Sequence, residues 1–209
     1  MQKQILKQQL GYLTMMVEAN IGELLNLVGR DMIPFPDKKY NIIYADPAWS
    51  YTDKSLNRGG AARHYKTLTD NEINNLPIKD IADKDCILFL WATFPKIQEA
   101  LEVINAWGFL YKTNGFTWIK KNKKQINTNF WGMGRWTRSN AEICLIATKG
   151  NPKRINAGIH SVIETPIERH SKKPDIVRDK IVELVGDLPR IELFAREEAD
   201  GWDSWGNEL

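Results

Sequence analysis

The stretch Asn41-Ile42-Ile43-Tyr44-Ala45-Asp46-Pro47-Ala48-Trp49 joins a short apolar run to an acid, a proline and an aromatic residue. Isoleucine and tyrosine favour extended backbone, so residues 41–45 are predicted to form a β-strand that ends just before Asp46. Open α/β sheets bind their ligands at the carboxyl ends of such strands. The stretch therefore predicts a carboxylate, an unpaired carbonyl oxygen on Pro47 and a flat ring, which together suit the amino group of a planar base.

The rest of the chain alternates between apolar runs and segments with helical periodicity. Further strands are predicted at 86–91, 109–119, 142–148, 161–164 and 190–195. The first of these is apolar throughout, so it is expected to be buried and central. The predicted helices are a short one that begins at Thr69 or Asp70 and ends before Pro77, then 95–107 and 174–185. Strands that alternate with helices imply an α/β fold with a doubly wound, mainly parallel sheet.

Length and composition predict a single domain over residues 1–209. Apolar steps of three and four predict an amphipathic helical segment at 1–30, and the core is expected to span 31–209. No run approaches the ~20 apolar residues of a membrane helix, and the first residues lack the features of a signal peptide. The only cysteines, Cys86 and Cys144, lie in apolar runs, and the three histidines are scattered. We therefore expect a cytoplasmic protein without a disulfide or a metal site.

Positive charge is concentrated in one part of the chain. Residues 112–154 hold ten lysines and arginines against a single acid, Glu142, so this segment carries +9 although the whole chain carries +3. The cations alternate with the rings of Phe116, Trp118, Phe130, Trp131 and Trp136. A basic run is often only a solvated face. Cations for phosphates beside rings for bases nevertheless favour a nucleic-acid partner, bound as a single strand or a flipped base.

Three blocks of sequence resemble one known family in their order and spacing. The first is Asp46-Pro47-Ala48-Trp49. The second comprises Trp136-Thr137-Arg138, Glu142-Ile143-Cys144-Leu145 and Lys149-Gly150-Asn151-Pro152. The third comprises Lys172-Lys173-Pro174-Asp175, Ile191-Glu192-Leu193-Phe194-Ala195-Arg196, Gly201-Trp202 and Trp205-Gly206-Asn207-Glu208. Together they resemble the MT-A70-like family of S-adenosylmethionine-dependent adenine-N6 methyltransferases, in particular its bacterial and phage members.

The resemblance runs from about Asp31 to the last residue and implies a Rossmann-like class I methyltransferase fold. It also implies a circularly permuted order, in which the catalytic motif precedes the cofactor strand at 191–195. The chain departs from the family at Ala48, where a second proline is usual. Because a proline restricts the residue before it, we expect the Pro47 carbonyl to be held less rigidly in this chain.

The catalytic residues that the resemblance implies are Asp46, Pro47 and Trp49. The carboxylate of Asp46 and the carbonyl of Pro47 would accept the two amino hydrogens of adenine. This draws the amino nitrogen toward a tetrahedral geometry and directs its lone pair at the methyl donor. Trp49 would stack on the target base, which must leave a duplex to present this atom.

The resemblance also implies contacts to the cofactor, S-adenosyl-L-methionine. Lys173 would bind its carboxylate, and Asp46 is expected to contact the cofactor as well. Contacts to its ribose and adenine are expected from Asp31, Met32, Arg196, Asn207 and Glu208. The residues expected to contact the nucleic acid are Tyr65, Lys120, Lys121, Arg135, Arg138 and Glu142.

The function predicted is methylation of the exocyclic amino group of adenine in nucleic acid. DNA is favoured over RNA because the chain shows no zinc finger or other RNA-binding module. Methylation of cytosine is one alternative, although such enzymes usually carry serine in place of Asp46. A nucleic-acid-binding subunit with weak or no catalysis is another, although such proteins usually lose residues that are present here. A protein partner or a homodimer could supply target recognition.

Overall fold

A computed structural model describes residues 33–51, 68–134, 136–169, 171–207 and 209 of the chain. The predicted amphipathic segment at 1–30 lies outside the described residues, so the single-domain organisation stays a prediction. Five of the expected binding residues also lie outside them, namely Asp31, Met32, Tyr65, Arg135 and Glu208.

The described residues form a mixed α/β fold around one seven-stranded sheet. The strands are β1 (Tyr40–Ala45), β2 (Ala82–Ala92), β3 (Leu110–Lys121), β4 (Ala141–Lys149), β5 (Val162–Pro166), β6 (Arg190–Leu193) and β7 (Asp203–Trp205). Their order across the sheet is β5-β3-β4-β2-β1-β6-β7. All six strands predicted from apolar runs are confirmed, whereas β7 was not predicted.

Strand β4 runs against all the others in the described sheet. It pairs antiparallel with both β2 and β3, while β1 pairs in parallel with β2 and β6. A parallel neighbour requires a long crossover, usually through a helix. The described chain between β3 and β4 contains no helix, and the two strands pair antiparallel. The mainly parallel sheet is thus interrupted at β4. The apolar pattern of a strand does not reveal the direction in which it runs.

Helices cover both faces of the sheet. They are α1 (Asp70–Asn74), α2 (Ile78–Ile81), α3 (Ile97–Ala106), which follows a 3-10 turn at Phe94–Lys96, and α4 (Ile176–Val185). Helix α4 packs in one cluster with Tyr44, Phe89 and Trp91. The alternate strand residues, such as Leu88 and Leu90, face the opposite side and are equally buried. Helix α3 packs on β2 and β3 through buried residues that do not belong to the α4 cluster.

The strand directions bring four chain segments to one edge of the sheet. The parallel strands β1, β2 and β6 end there, and they are followed by Asp46, Thr93 and Phe194. Because β4 is antiparallel, its beginning lies at this same edge, with Ile143 opposite Ala92. Glu142 therefore comes close to the carboxyl end of β1. Among the described residues no helix is long and apolar enough to cross a bilayer.

Candidate active site

Two adjoining clefts open at this edge of the sheet. The first, of about 480 Å³ including the space open to solvent, is lined by Asp46, Pro47, Trp49, Tyr51, Ala92, Thr93, Glu142, Ser171, Lys173 and Arg196. The second, of about 350 Å³ on the same measure, is lined by Asp46, Arg169, Ser171, Lys172, Lys173, Arg178, Glu192, Phe194, Arg196 and Glu197. Both clefts contain Asp46, Lys173 and Arg196. The first cleft thus brings together five of the residues predicted for catalysis and cofactor binding, namely Asp46, Pro47, Trp49, Lys173 and Arg196.

A series of partly buried ion pairs crosses the boundary between the clefts. The Nζ atom of Lys173 lies 2.6 Å from Oδ2 of Asp46 and 3.3 Å from Oε2 of Glu142. The other carboxylate oxygen of Glu142 accepts a hydrogen bond from Lys120. The side chain of Lys173 is only 12% exposed. Because these charges are largely shielded from water, the charged form of each group depends on its ion-pair partners. The ion pairs also hold these side chains in place.

The pairing sets the ionisation of these groups. Burial raises the pKa of Asp46, and the Lys173 ammonium opposes that effect. Burial would also raise the pKa of Glu142, but Lys173 and Lys120 outweigh it and hold this pKa at about 2. Burial would lower the pKa of Lys173, yet Asp46 and Glu142 raise it above its ordinary value. Lys173 is therefore an ammonium and Glu142 a carboxylate at neutral pH.

The Pro47 carbonyl is not unpaired, so that part of the sequence prediction is wrong. It accepts a hydrogen bond of 2.8 Å from the backbone N–H of Trp49. The two residues are close enough because the chain turns sharply after β1. A carbonyl oxygen has two lone pairs, so one remains for a substrate hydrogen. The Ala48 carbonyl in turn accepts a hydrogen bond from the N–H of Leu68, which also holds this turn.

Trp49 lines the first cleft but is only 4% exposed. Its indole N–H donates to the Trp91 carbonyl over 3.1 Å, which fixes the plane of the ring. A substrate base in this cleft would therefore meet the Trp49 ring in a fixed orientation.

Trp91 is a site residue that the sequence reasoning missed. Besides binding Trp49, it donates its own indole N–H to the Tyr44 hydroxyl over 2.7 Å. Its ring lies beneath the Lys173 ammonium, with Nζ 5.6 Å from the ring centre. A cation above an aromatic face is attracted by the ring. The available signal was its position at the carboxyl end of the strand that the sequence predicted to be buried and central.

Glu192 and Arg178 were also missed, and they line the second cleft. The guanidinium of Arg178 binds both carboxylate oxygens of Glu192, at 2.6 and 3.2 Å. Phe194 and Ser171, in the same cleft, have φ angles of 62° and 61°, which residues other than glycine rarely adopt. Backbone strain of this kind tends to cluster where ligands bind.

The other predicted contacts are more dispersed. Lys121 lies in β3 and is paired with Glu164 at 3.2 Å. Arg138 is exposed, with its guanidinium 3.1 Å from the sulfur of Met133. Asn207 is exposed and is not among the residues lining the two clefts. The neighbouring Gly206 packs so closely on Ala195 that a Cβ atom would lie 2.2 Å from its carbonyl oxygen.

Comparison with known proteins agrees with the sequence resemblance. Residues 40–208 match the MT-A70 family. The chain is 36% identical over 193 residues to the type II methyltransferase M.MunI of Mycoplasma sp.. The matched region covers 83% of this chain and 79% of M.MunI. It is 32% identical over 174 residues to human METTL3, the catalytic subunit of an N(6)-adenosine-methyltransferase, covering 82% of this chain but 28% of METTL3. The MT-A70-like N(6)-adenosine-methyltransferase of Drosophila melanogaster is 29% identical, with 82% of this chain and 27% of that protein covered.

Proposed function

Because the chain belongs to the MT-A70 family, we propose that it methylates the exocyclic amino group of adenine in nucleic acid, with S-adenosyl-L-methionine as the methyl donor. The observation that carries the proposal is the placement of Asp46, Pro47 and Trp49 in one cleft with Lys173. DNA is proposed as the preferred substrate. The similarity to M.MunI extends over 79% of that protein, whereas it extends over only 28% of METTL3.

The second cleft fits the chemistry of the proposed cofactor. S-adenosyl-L-methionine carries a carboxylate, two cationic groups, ribose hydroxyls and an adenine ring. The cleft offers the cations Lys172, Lys173 and Arg196 together with the carboxylates Glu192 and Glu197. Lys173 would hold the cofactor carboxylate by a charge-assisted hydrogen bond. When bound, the cofactor supplies an electrophilic methyl group.

Further cofactor contacts are proposed from the family resemblance. Arg196, Asn207 and Glu208 would bind the ribose and adenine, and Asp31 with Met32 would meet the adenine edge. Strand order supports the permuted arrangement, since β1 carries the catalytic motif and its neighbour β6, which leads to Arg196, comes near the end of the chain.

The catalytic part of the proposal follows from the acceptors around Asp46. Its carboxylate and the remaining lone pair of the Pro47 carbonyl would accept the two amino hydrogens of the target adenine. Acceptors that are already in place stabilise the positive charge that develops on the nitrogen during transfer. The methylated nitrogen becomes acidic only after transfer, and Asp46 would then take its proton. Lys173, at 2.6 Å, keeps this carboxylate oriented.

A methylation assay tests the proposal. The protein is incubated with S-adenosyl-L-methionine and adenine-containing oligonucleotides as single-stranded DNA, duplex DNA and RNA, and the nucleosides are analysed by mass spectrometry. We expect N6-methyladenine, formed fastest on DNA. Asp46→Ala should reduce turnover by ~100- to 1000-fold, with cofactor affinity within a few-fold of wild type. Asp187→Ala removes an exposed carboxylate and serves as the control.

Three outcomes would contradict the assignment. Retention of more than a tenth of turnover in Asp46→Ala would remove Asp46 from catalysis. A methyl group on cytosine would support the alternative amino-methyltransferase. Binding of nucleic acid without any transfer would support a binding subunit.

A further inference from the structure

The chain between β3 and β4, residues 122–140, is a long connection that we call the arm, and the structure describes it at 122–134 and 136–140. Its described residues are held by backbone hydrogen bonds across it. The N–H of Asn122 donates to the Thr128 carbonyl at 3.0 Å, and that of Gly132 donates to the Ser139 carbonyl at 2.6 Å. Gly134 is so tightly packed that a Cβ atom would lie 1.8 Å from the Thr137 carbonyl oxygen. The arm therefore has a defined backbone.

Large apolar side chains on the arm face solvent. Trp136 is 95% exposed, Met133 85%, Trp131 69% and Ile126 59%. By contrast, Trp91 and Trp107 in the core are almost completely buried. An ordered surface that presents several such side chains usually marks a place where another molecule binds.

The charge of the arm indicates what that molecule is. Residues 122–140 contain Lys123, Lys124, Arg135 and Arg138 and no acid. A second copy of the chain would bring two cationic arms together, which charge repulsion disfavours. A polyanion suits the arm, and its unpaired bases can stack on tryptophan rings, whereas paired bases inside a duplex cannot.

The position of the arm connects it with the proposed site. It leaves β3 at Lys121 and returns to β4 at Ala141. At its base, Lys120 binds Glu142, which lines the cleft that contains Asp46. A strand bound on the arm would thus continue toward the acceptor groups of that cleft.

We propose that the arm binds unpaired nucleobases by stacking on Trp131 and Trp136, while Lys123, Lys124 and Arg138 contact the phosphates. This inference rests on the proposed function and specifies its substrate as single-stranded or locally opened nucleic acid. The stacking surface has no donor or acceptor code of its own, so it accepts bases other than adenine.

Binding to an oligodeoxythymidine of about fifteen nucleotides tests the proposal, because this probe lacks adenine and covers a single-strand site. Fluorescence anisotropy is measured for the wild type and for Trp131→Leu and Trp136→Leu. We expect each leucine variant to weaken binding about ten-fold or more. Trp136→Phe should recover most of the affinity, because phenylalanine retains a ring. Binding to a blunt duplex of the same length and to S-adenosyl-L-methionine should stay unchanged.

Ile155→Ala is the matched control, because Ile155 is 68% exposed and also follows two cations, Lys153 and Arg154. Unchanged thymidine binding in both leucine variants would overturn the proposal. So would a leucine variant that alters the oligomeric state in sedimentation without altering thymidine affinity, since the arm would then be a protein interface. Thymidine binding that the leucine substitutions weaken, in a wild-type protein that transfers no methyl group, would contradict the proposed function alone.

Discussion

At the scale of single residues, Lys173 connects the two clefts. It pairs with Asp46 in both of them and with Glu142 in the first. Substitution of such a buried cation leaves two carboxylates without their shared partner, which is costly. Lys173 therefore influences the ionisation of both carboxylates, in addition to its proposed role in cofactor binding.

We predict that Lys173→Ala weakens cofactor binding about ten-fold or more, because one charge-assisted hydrogen bond contributes ~1.5–3 kcal/mol. Nucleic-acid affinity should be spared. Isothermal titration with S-adenosyl-L-methionine measures the effect, and Lys84→Ala, an exposed lysine on β2, is the control. An unchanged dissociation constant would remove Lys173 from the cofactor site.

Glu142 leads to a prediction about acid stability. Its pKa is about 2 in the folded protein and 4.5 in its ordinary state. A lowered carboxyl pKa contributes stability above the ordinary value, and this contribution is lost as the pH falls from about 4.5 toward 2. We expect Glu142→Gln to lower the free energy of unfolding at neutral pH, on the order of 3 kcal/mol.

Urea unfolding near pH 7 and near pH 3 checks this. The difference in the free energy of unfolding between wild type and Glu142→Gln should shrink at the lower pH. Glu183→Gln, on the exposed side of α4, should unfold with nearly the wild-type free energy at either pH. A difference that stays constant with pH would show that the ion pairs do not set the stability of this site.

At the scale of elements, α1 begins at a capping box. The hydroxyl of Thr69 accepts from the N–H of Glu72 at 3.2 Å, and the Glu72 carboxylate accepts from the N–H of Thr69 at 2.7 Å. Thr69 directly follows Leu68, which hydrogen-bonds to the turn after β1. The cap thus stabilises an element next to the turn that follows Asp46.

We predict that Thr69→Ala lowers the free energy of unfolding by about 1 kcal/mol, while Thr69→Ser, which keeps the hydroxyl, stays close to wild type. Chemical denaturation measures both variants. Cofactor affinity should not change, since α1 lies outside the second cleft. Equal stability of the alanine and serine variants would show that the cap does not hold this helix.

At the scale of the whole molecule, the cations of the basic segment are not equivalent. Lys120 and Lys121 are paired with Glu142 and Glu164, whereas Lys123 and Lys124 are exposed on the arm. Only cations that reach phosphates release counterions when nucleic acid binds. The cations of the basic segment thus fall into two groups, one held in ion pairs and one exposed to solvent on the arm.

We predict that changing Lys123 and Lys124 to glutamine reduces the slope of log affinity against log salt by up to about two, because each phosphate contact contributes ~0.7 to 0.9. Changing Lys153 and Arg154, two exposed cations on another loop, should leave the slope near the wild-type value. Nucleic-acid affinity is measured at several salt concentrations. A slope that is unaltered in the Lys123/Lys124 variant would indicate that these lysines are only solvated.

Local sequence determined much of this protein. The apolar run before Asp46 predicts β1, and the structure places it at Tyr40–Ala45. Thr69 and Glu72 specify the start of α1 because a cap depends on residues only three apart. The three blocks identified the family, which the comparisons confirm over residues 40–208.

Only the tertiary structure decided how distant segments meet. Lys173 and Asp46 are 127 positions apart, yet they form a hydrogen bond of 2.6 Å. The antiparallel direction of β4 brings Glu142 to them, and Glu142 also pairs with Lys120 of β3. An apolar pattern specifies which residues are buried but not which way a strand runs or which neighbour it pairs with. Those choices depend on the packing of the complete sheet.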